Sequence, residues 1–208
     1  TLPPPEQIAL GETLRREIGA RPVLLAASTR EGEEALLFEA LAKHPLGDAL
    51  LVVVPRHPQC FEEVAALAGK AGFVLQRRSE NAVVDARTQV LLGDSMGEMF
   101  AYYAACDLAF IGGSLLDYGS QNLIEACAVG RAVLIGQSTY NFTLAAEQAL
   151  ECGAARQIGT AAELLEAADA LLHDEAARRR MGEAGREFAA RHRGATARTL
   201  ELISRAMR

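Results

Sequence analysis

The apolar positions fall into two alternating patterns. Short unbroken apolar runs of strand length, Val23-Leu24-Leu25-Ala26-Ala27, Ala49 to Val54, Phe73 to Leu75, Gln89 to Leu92, Leu108 to Ile111, Ala132 to Ile135 and Ala155 to Ile158, read as buried strands. Between them lie segments with apolar residues at three- and four-residue spacing. Leu36, Leu37, Ala40 and Leu41 are one example, and they predict a helix over 33–43. The same spacing predicts helices over 61–71, 96–105, 122–128 and 142–151, one leading up to about Ile18, and a helical tail from Thr160 broken near Gly194. Strands alternating with helices, with strands apolar on both faces, give a doubly wound parallel α/β sheet of Rossmann-like type. Residues 1–20 read as a linker and leading helix, because Pro3-Pro4-Pro5 is stiff, and 21–208 as a single domain. The opening Thr-Leu-Pro-Pro-Pro has the character of a cut made in a linker, so we treat the chain as part of a longer protein.

Composition narrows the class. Half of the 208 residues are hydrophobic, so a packed core is expected and disorder is not. No apolar run reaches the roughly 18–20 residues that span a bilayer. Cys60, Cys106, Cys127 and Cys152 stand far apart in Ala-rich surroundings without metal spacing, which suits reduced thiols in a reducing compartment. The formal net charge of −6 argues against a nucleic-acid partner. The charge is unevenly spread: residues 173–208 hold nine Arg against five acids. That basic end is either a solvated face paired with neighbouring Glu or a peripheral contact to an anionic membrane.

Ligands of open parallel sheets bind beyond the carboxyl ends of the strands, and the informative residues gather there. Ser28, Thr29, Arg30, Glu31 and Gly32 follow the first strand, and Arg56 and His57 follow the second. Gly93-Asp94-Ser95-Met96-Gly97-Glu98 precedes a helix, and Gly112-Gly113-Ser114 begins a loop running to Asn122 and Glu125. There is no G-x-G-x-x-G after the first strand and no G-x-x-x-x-G-K-[ST], which disfavours a dinucleotide fold and excludes a P-loop NTPase. Arg56 at a Pro-fixed strand end suits a phosphate, or else caps the sheet edge or pairs with a Glu. His57 is open to a ligand role or a local hydrogen bond. Asp94 or Ser95 offers a helix N-cap, and the free amides there suit a phosphate or a base edge. Asn122 and Glu125, three apart, share one helix face. They read as a ribose-binding carboxylate with its neighbour, or as a capping pair.

These blocks resemble the Kdo (3-deoxy-D-manno-octulosonic acid) transferase family. The match runs in order through Ser28-Thr29-Arg30-Glu31-Gly32-Glu33-Glu34, Pro55-Arg56-His57, Gly93 to Glu98, Phe110 to Ser114, Asn122 with Glu125, and Asn141-Phe142. The resemblance implies the C-terminal, donor-binding half of a GT-B enzyme that transfers Kdo from CMP-Kdo to a lipid A precursor in lipopolysaccharide biosynthesis, at the cytoplasmic face of the inner membrane. It implies inversion at the sugar, no metal and no cofactor. The general base then lies in the N-terminal half, so no catalytic residue is expected here, and residues 1–208 alone are expected to be inactive. It places the CMP phosphate at Arg56, the nucleotide against Met96-Gly97, and the ribose at Glu125 with Asn122 near. His57, Ser95, Glu98, Gly113 and Ser114 join these as donor-binding candidates, and Ser28, Thr29, Glu31, Gly32 and Asn141 as further ones. Two departures stand out: the family commonly has His where Arg30 stands, and His where Gln121 stands. The alternatives are a GT-B enzyme using a UDP-sugar and a non-catalytic nucleotide-binding module. A site for cytosine must satisfy an exocyclic amine where uracil presents a carbonyl.

Overall fold

The computed structural model describes residues 2–206, with side chains described as far as His192; the basic residues from Arg193 onward lie outside the described side chains. The elements are α1 (Pro5–Ile18), β1 (Val23–Thr29), α2 (Glu33–Lys43), β2 (Leu50–Pro55), α3 (Phe61–Lys70), β3 (Leu75–Arg77), β4 (Val90–Leu92), α4 (Met99–Ala105), β5 (Leu108–Ile111), α5 (Ile124–Val129), β6 (Ala132–Ile135), α6 (Thr143–Glu151), β7 (Ala155–Gln157), α7 (Ala161–Leu172) and α8 (Glu175–Ala206). The seven strands form one sheet in the order β3-β4-β2-β1-β5-β6-β7, and every pairing is parallel. From β1 the chain first builds outward through β2 and then returns to lay β5 on the other side. The gap between the carboxyl ends of β1 and β5 is therefore the topological switch point.

The strands are apolar throughout because helices cover both faces. Val23, Leu25 and Ala27 of β1, with Leu50, Val52 and Val54 of β2, point into the core that holds α1, α4 and α5. Leu24 and Ala26, with Leu51 and Val53, point into the opposite core, under α2, α3 and α7. Phe110 and Leu134 continue the second layer, and Ile111 and Ile135 the first. At about 25 cal/mol per Å² of apolar surface, this two-sided burial is the main force assembling the sheet.

The leading helix is part of the first core. Leu14 and Ile18 are buried in it, and a Cβ at Gly11 would meet Ala101 O at 2.5 Å, so α1 lies almost backbone to backbone on α4. All four cysteines are free thiols, and burial pushes Cys106 and Cys127 up to about 12, which keeps them protonated and inert.

Alongside shifts of one or two residues at other element ends, the structure departs from the sequence reading in four places. The edge strand is Leu75–Arg77 rather than 73–75, because pairing with β4 fixes its register. Helix α4 begins at Met99, since Gly97 at φ +78° turns the chain immediately before it. Helix α5 begins at Ile124, after the loop from Gly112. The tail breaks at His173–Asp174, between α7 and α8, and runs as helix through Gly194. A single glycine costs a helix only about 1 kcal/mol.

Candidate functional site

The end of β1 is built to accept a close neighbour. Ser28 takes a left-handed backbone (φ +55°), and a Cβ on Gly112 would meet Ser28 O at 2.5 Å. Only glycine lets β5 end against this turn. The loop leaving β5 then folds back on itself: Ser120 N–H donates to Gly113 O and Gln121 N–H to Gly112 O. Gly113, Gly119 and Ser120 all have positive φ. Glu33, fully buried, pins the loop from the other side. Its Oε2 accepts Arg30 N–H at 2.9 Å and Gly113 N–H at 2.7 Å, and its Oε1 accepts Leu115 N–H at 2.9 Å. The sequence reading assigned Glu33 no role. Beside it Glu34 accepts the Thr29 hydroxyl at 2.6 Å, while burial raises its carboxyl above the ordinary range.

This folding delivers Asn122 and Glu125 to the switch point. Asn122 Nδ2 donates to Glu125 Oε1 at 3.1 Å, and Asn122 Oδ1 accepts Ile124 N–H at 3.1 Å. The pair is not the capping pair read from sequence: the N-cap of α5 is Leu123, without a side-chain cap bond, and Asn122 instead turns the chain into the helix and steadies the Glu125 carboxylate. Burial raises the Glu125 carboxyl; the Asn122 hydrogen bond and the nearby Arg56 guanidinium oppose that rise. Arg56 N–H donates to Thr29 O at 2.9 Å, which binds the end of β2 to that of β1. Its side chain is exposed and makes no ion pair among the described residues.

Between these ends lies a cleft of about 290 Å³. Of the residues singled out from the sequence, Ser28, Arg56, Ser95, Met96, Gly97, Glu98, Asn122 and Glu125 line it. The structure adds Val54, Pro55, Met99, Tyr102, Tyr103 and Gln121 to its walls. Neither Asp94 nor Ser95 caps α4. Asp94 instead accepts Ser79 N–H and Oγ–H at 2.8 and 2.7 Å, and Ser95 Oγ donates to Glu98 at 2.7 Å. Two adjacent tyrosines in an Ala-rich helix are the signal that could have announced Tyr102 and Tyr103. Burial lifts both phenols well above 10, so both stay protonated.

The other candidates stand outside the cleft wall. Ser114 is fully buried, bridging Ile111 O and Gly136 N–H, and the Thr29 side chain is likewise turned inward. Gly113 spends its N–H on Glu33. Gly32 supplies the left-handed start of α2, and the carbonyl of exposed Glu31 accepts the Tyr118 hydroxyl. His57 begins a short 3-10 turn, and Asn141 holds Tyr118 O at 2.9 Å on the far side of Gly119. Arg30, one of the departures, lies over the Tyr118 ring at 4.4 Å. Among the described residues no group of three or more His, Cys, Asp or Glu stands close enough to hold a metal.

An Arg at one strand end, a carboxylate with its Asn at the switch point and a polar turn opposite thus share one cleft. Comparison with known proteins shows what the chain is similar to. Residues 35–188 match the family described as glycosyl transferases group 1. The chain is 44% identical over 206 residues to the 3-deoxy-D-manno-octulosonic acid transferase of Bordetella pertussis, across 96% of this chain and 48% of that one. It is 40% identical over 188 residues to the enzyme of the same name from Haemophilus influenzae, across 88% and 44%. The chain thus spans about half the length of these curated relatives. Among solved structures, the C-terminal CMP-Kdo binding domain of WaaA from Acinetobacter baumannii superposes with a TM-score of 0.83 at 29% identity, covering 88% of this chain and 97% of that one. The chain belongs to the group 1 glycosyl transferases and, within them, is similar to the Kdo transferases.

Proposed function

We propose that this chain binds CMP-Kdo and presents it for inverting transfer of Kdo to a lipid A precursor. The observation that carries this reading is the convergence of Arg56, Asn122, Glu125 and the 95–98 turn on one cleft, in a chain 44% identical to a Kdo transferase. The unpaired Arg56 guanidinium takes the donor phosphate. As the bond from the anomeric carbon to the phosphate oxygen breaks, that cation stabilises the charge growing on the departing CMP. Glu125, steadied by Asn122, accepts the ribose hydroxyls. The acceptor hydroxyl attacks from the opposite face, activated by a carboxylate outside these 208 residues, and neither metal nor cofactor takes part. The 208 residues by themselves then bind donor without transferring sugar. The work takes place at the cytoplasmic face of the inner membrane, although among the described residues no helix is long and apolar enough to cross it.

The test is an NMR titration of the chain with CMP and UMP, alongside Arg56→Ala and Glu125→Ala. Each substitution is expected to weaken CMP binding by about 10- to 100-fold, the scale of one charge-assisted contact. Folded protein that ignores CMP at millimolar concentration, or binds it unchanged in both variants, overturns the assignment. A preference for UMP moves it to a UDP-sugar donor.

A further inference from the structure

The Glu98 carboxylate is fixed on one edge and open on the other. Its Oε2 accepts Ser95 Oγ–H at 2.7 Å and stands 3.3 Å from Arg78 Nε. Ser95 has one hydroxyl proton, and it goes to Glu98, so at 2.6 Å the Ser95 oxygen accepts from Tyr102 O–H. Two hydroxyls in relay and one guanidinium ion pair therefore converge on one carboxylate oxygen, and such chains strengthen one another in a sheltered site. The backbone beneath is held as well: Asp94 clamps Ser79, and Gly97 makes the left-handed turn. Oε1 has no partner among the described residues, and Glu98 lines the cleft with its side chain 23% exposed.

An ionised carboxylate oxygen can only accept hydrogen bonds. Set at a fixed point in a nucleotide cleft, it favours an edge that offers N–H and repels one that offers a carbonyl. Cytosine presents an amine where uracil presents oxygen, and a carboxylate accepting from the cytosine amine is a known geometric match. We infer that Glu98 is the base-reading residue, Oε1 accepting the exocyclic amine of a cytosine nucleotide, with Arg78 and Tyr102 as positioning residues that aim it. This rests on the CMP reading above and deepens it, because it names the atom that selects the base. Neither Arg78 nor Tyr102 lies in the segments that carry the family resemblance as read from sequence.

The test is the ratio of CMP to UMP affinity, measured by titration of the 208-residue chain and of Glu98→Gln, Arg78→Gln and Tyr102→Phe. Circular dichroism checks each fold. The unsubstituted protein is expected to prefer CMP by about 10- to 100-fold. In Glu98→Gln the amide can turn either its oxygen or its nitrogen to the base. The ratio should fall to within about threefold, with UMP bound more tightly than before. The two positioning variants should lower the ratio by about 3- to 10-fold through CMP alone, since phosphate and ribose contacts are untouched. A merely structural role would weaken both nucleotides together. Should Glu98→Gln fail to fold, the positioning variants decide the matter on the same ratio. Retention of the unsubstituted ratio in the folded variants overturns the inference while leaving the CMP reading standing. So does equal binding of CMP and UMP by the unsubstituted protein. Folded protein that binds neither nucleotide overturns both.

Discussion

At the scale of single residues, Glu125 shows function set against stability. Burial raises its carboxyl, so the ionised form that the proposed ribose contact needs is disfavoured in the fold. A carboxyl raised on folding contributes stability below its ordinary value of 4.5, and that contribution is lost as pH climbs through the raised value. Glu125→Gln keeps an acceptor for Asn122 and removes the buried charge. At pH 7 it should raise Tm by up to roughly 3 °C, the gain shrinking toward pH 4, while CMP binding weakens by about tenfold or more. Melting curves at the two pH values check this; a lower Tm at pH 7 would show that Glu125 is held by more than Asn122. Glu33 is the opposite case. Its three backbone contacts fix the loop rather than touch a ligand, and in sequence it was one more acid in an acidic run. Residue type alone did not separate a carboxylate that binds from one that braces, because the difference lies in which N–H groups face it.

Among elements, the decisive contact is where β5 ends on β1. A methyl at Gly112 would sit 2.5 Å from Ser28 O and 2.6 Å from Thr29 Cα, both backbone atoms that cannot swing away. Gly112→Ala should cost about 1–3 kcal/mol by overpacking. It should also weaken CMP binding about tenfold or more, since Ser28 lines the cleft and Asn122 hangs from the same loop. Denaturant unfolding and CMP titration measure the two effects. Unchanged values in both would mean that the strand ends slide past one another freely. Six of the seven strands were legible to within two residues at either end, since a two-sided burial pattern admits little else; only the edge strand β3 was displaced as a whole. The loops were not: the predicted start of α4 at Met96 ignored a left-handed Gly97 and an Asp94 engaged by Ser79.

Across the whole molecule, α1 ties distant pieces together. Arg15 donates to Asp107 at 3.0 Å, and the same Asp107 oxygen accepts Val23 N–H at 2.8 Å. One side chain thus joins α1 to the start of β1 and the turn before β5. Helix α1 also covers α4, which carries Tyr102 and Tyr103 into the cleft. A chain lacking residues 1–19 leaves Leu14 and Ile18 unreplaced and Asp107 without its Arg15 partner, held by Val23 N–H alone. We expect it to lose about 3 kcal/mol or more and roughly 6–12 °C of Tm. CMP affinity should drop although no contact residue is removed; calorimetry with and without CMP checks both.

The sequence by itself determined the class of fold, the alternation of elements and the rim on which the cleft opens. Those follow from local periodicity, from strand ends and from ordered motif blocks, all of which are written along the chain. Tertiary structure alone decided which rim residues meet. Ser28, Arg56, Glu98 and Glu125 come together because the chain reverses between β1 and β5. Ser114 and Thr29, equally polar and equally placed at strand ends, turn inward. Arg78 reached Glu98 only through the fold of the sheet edge, across some twenty residues that carry no spacing signal. Periodicity reports the face a residue belongs to; hydrogen-bond partners are distributed by topology, which no local pattern contains.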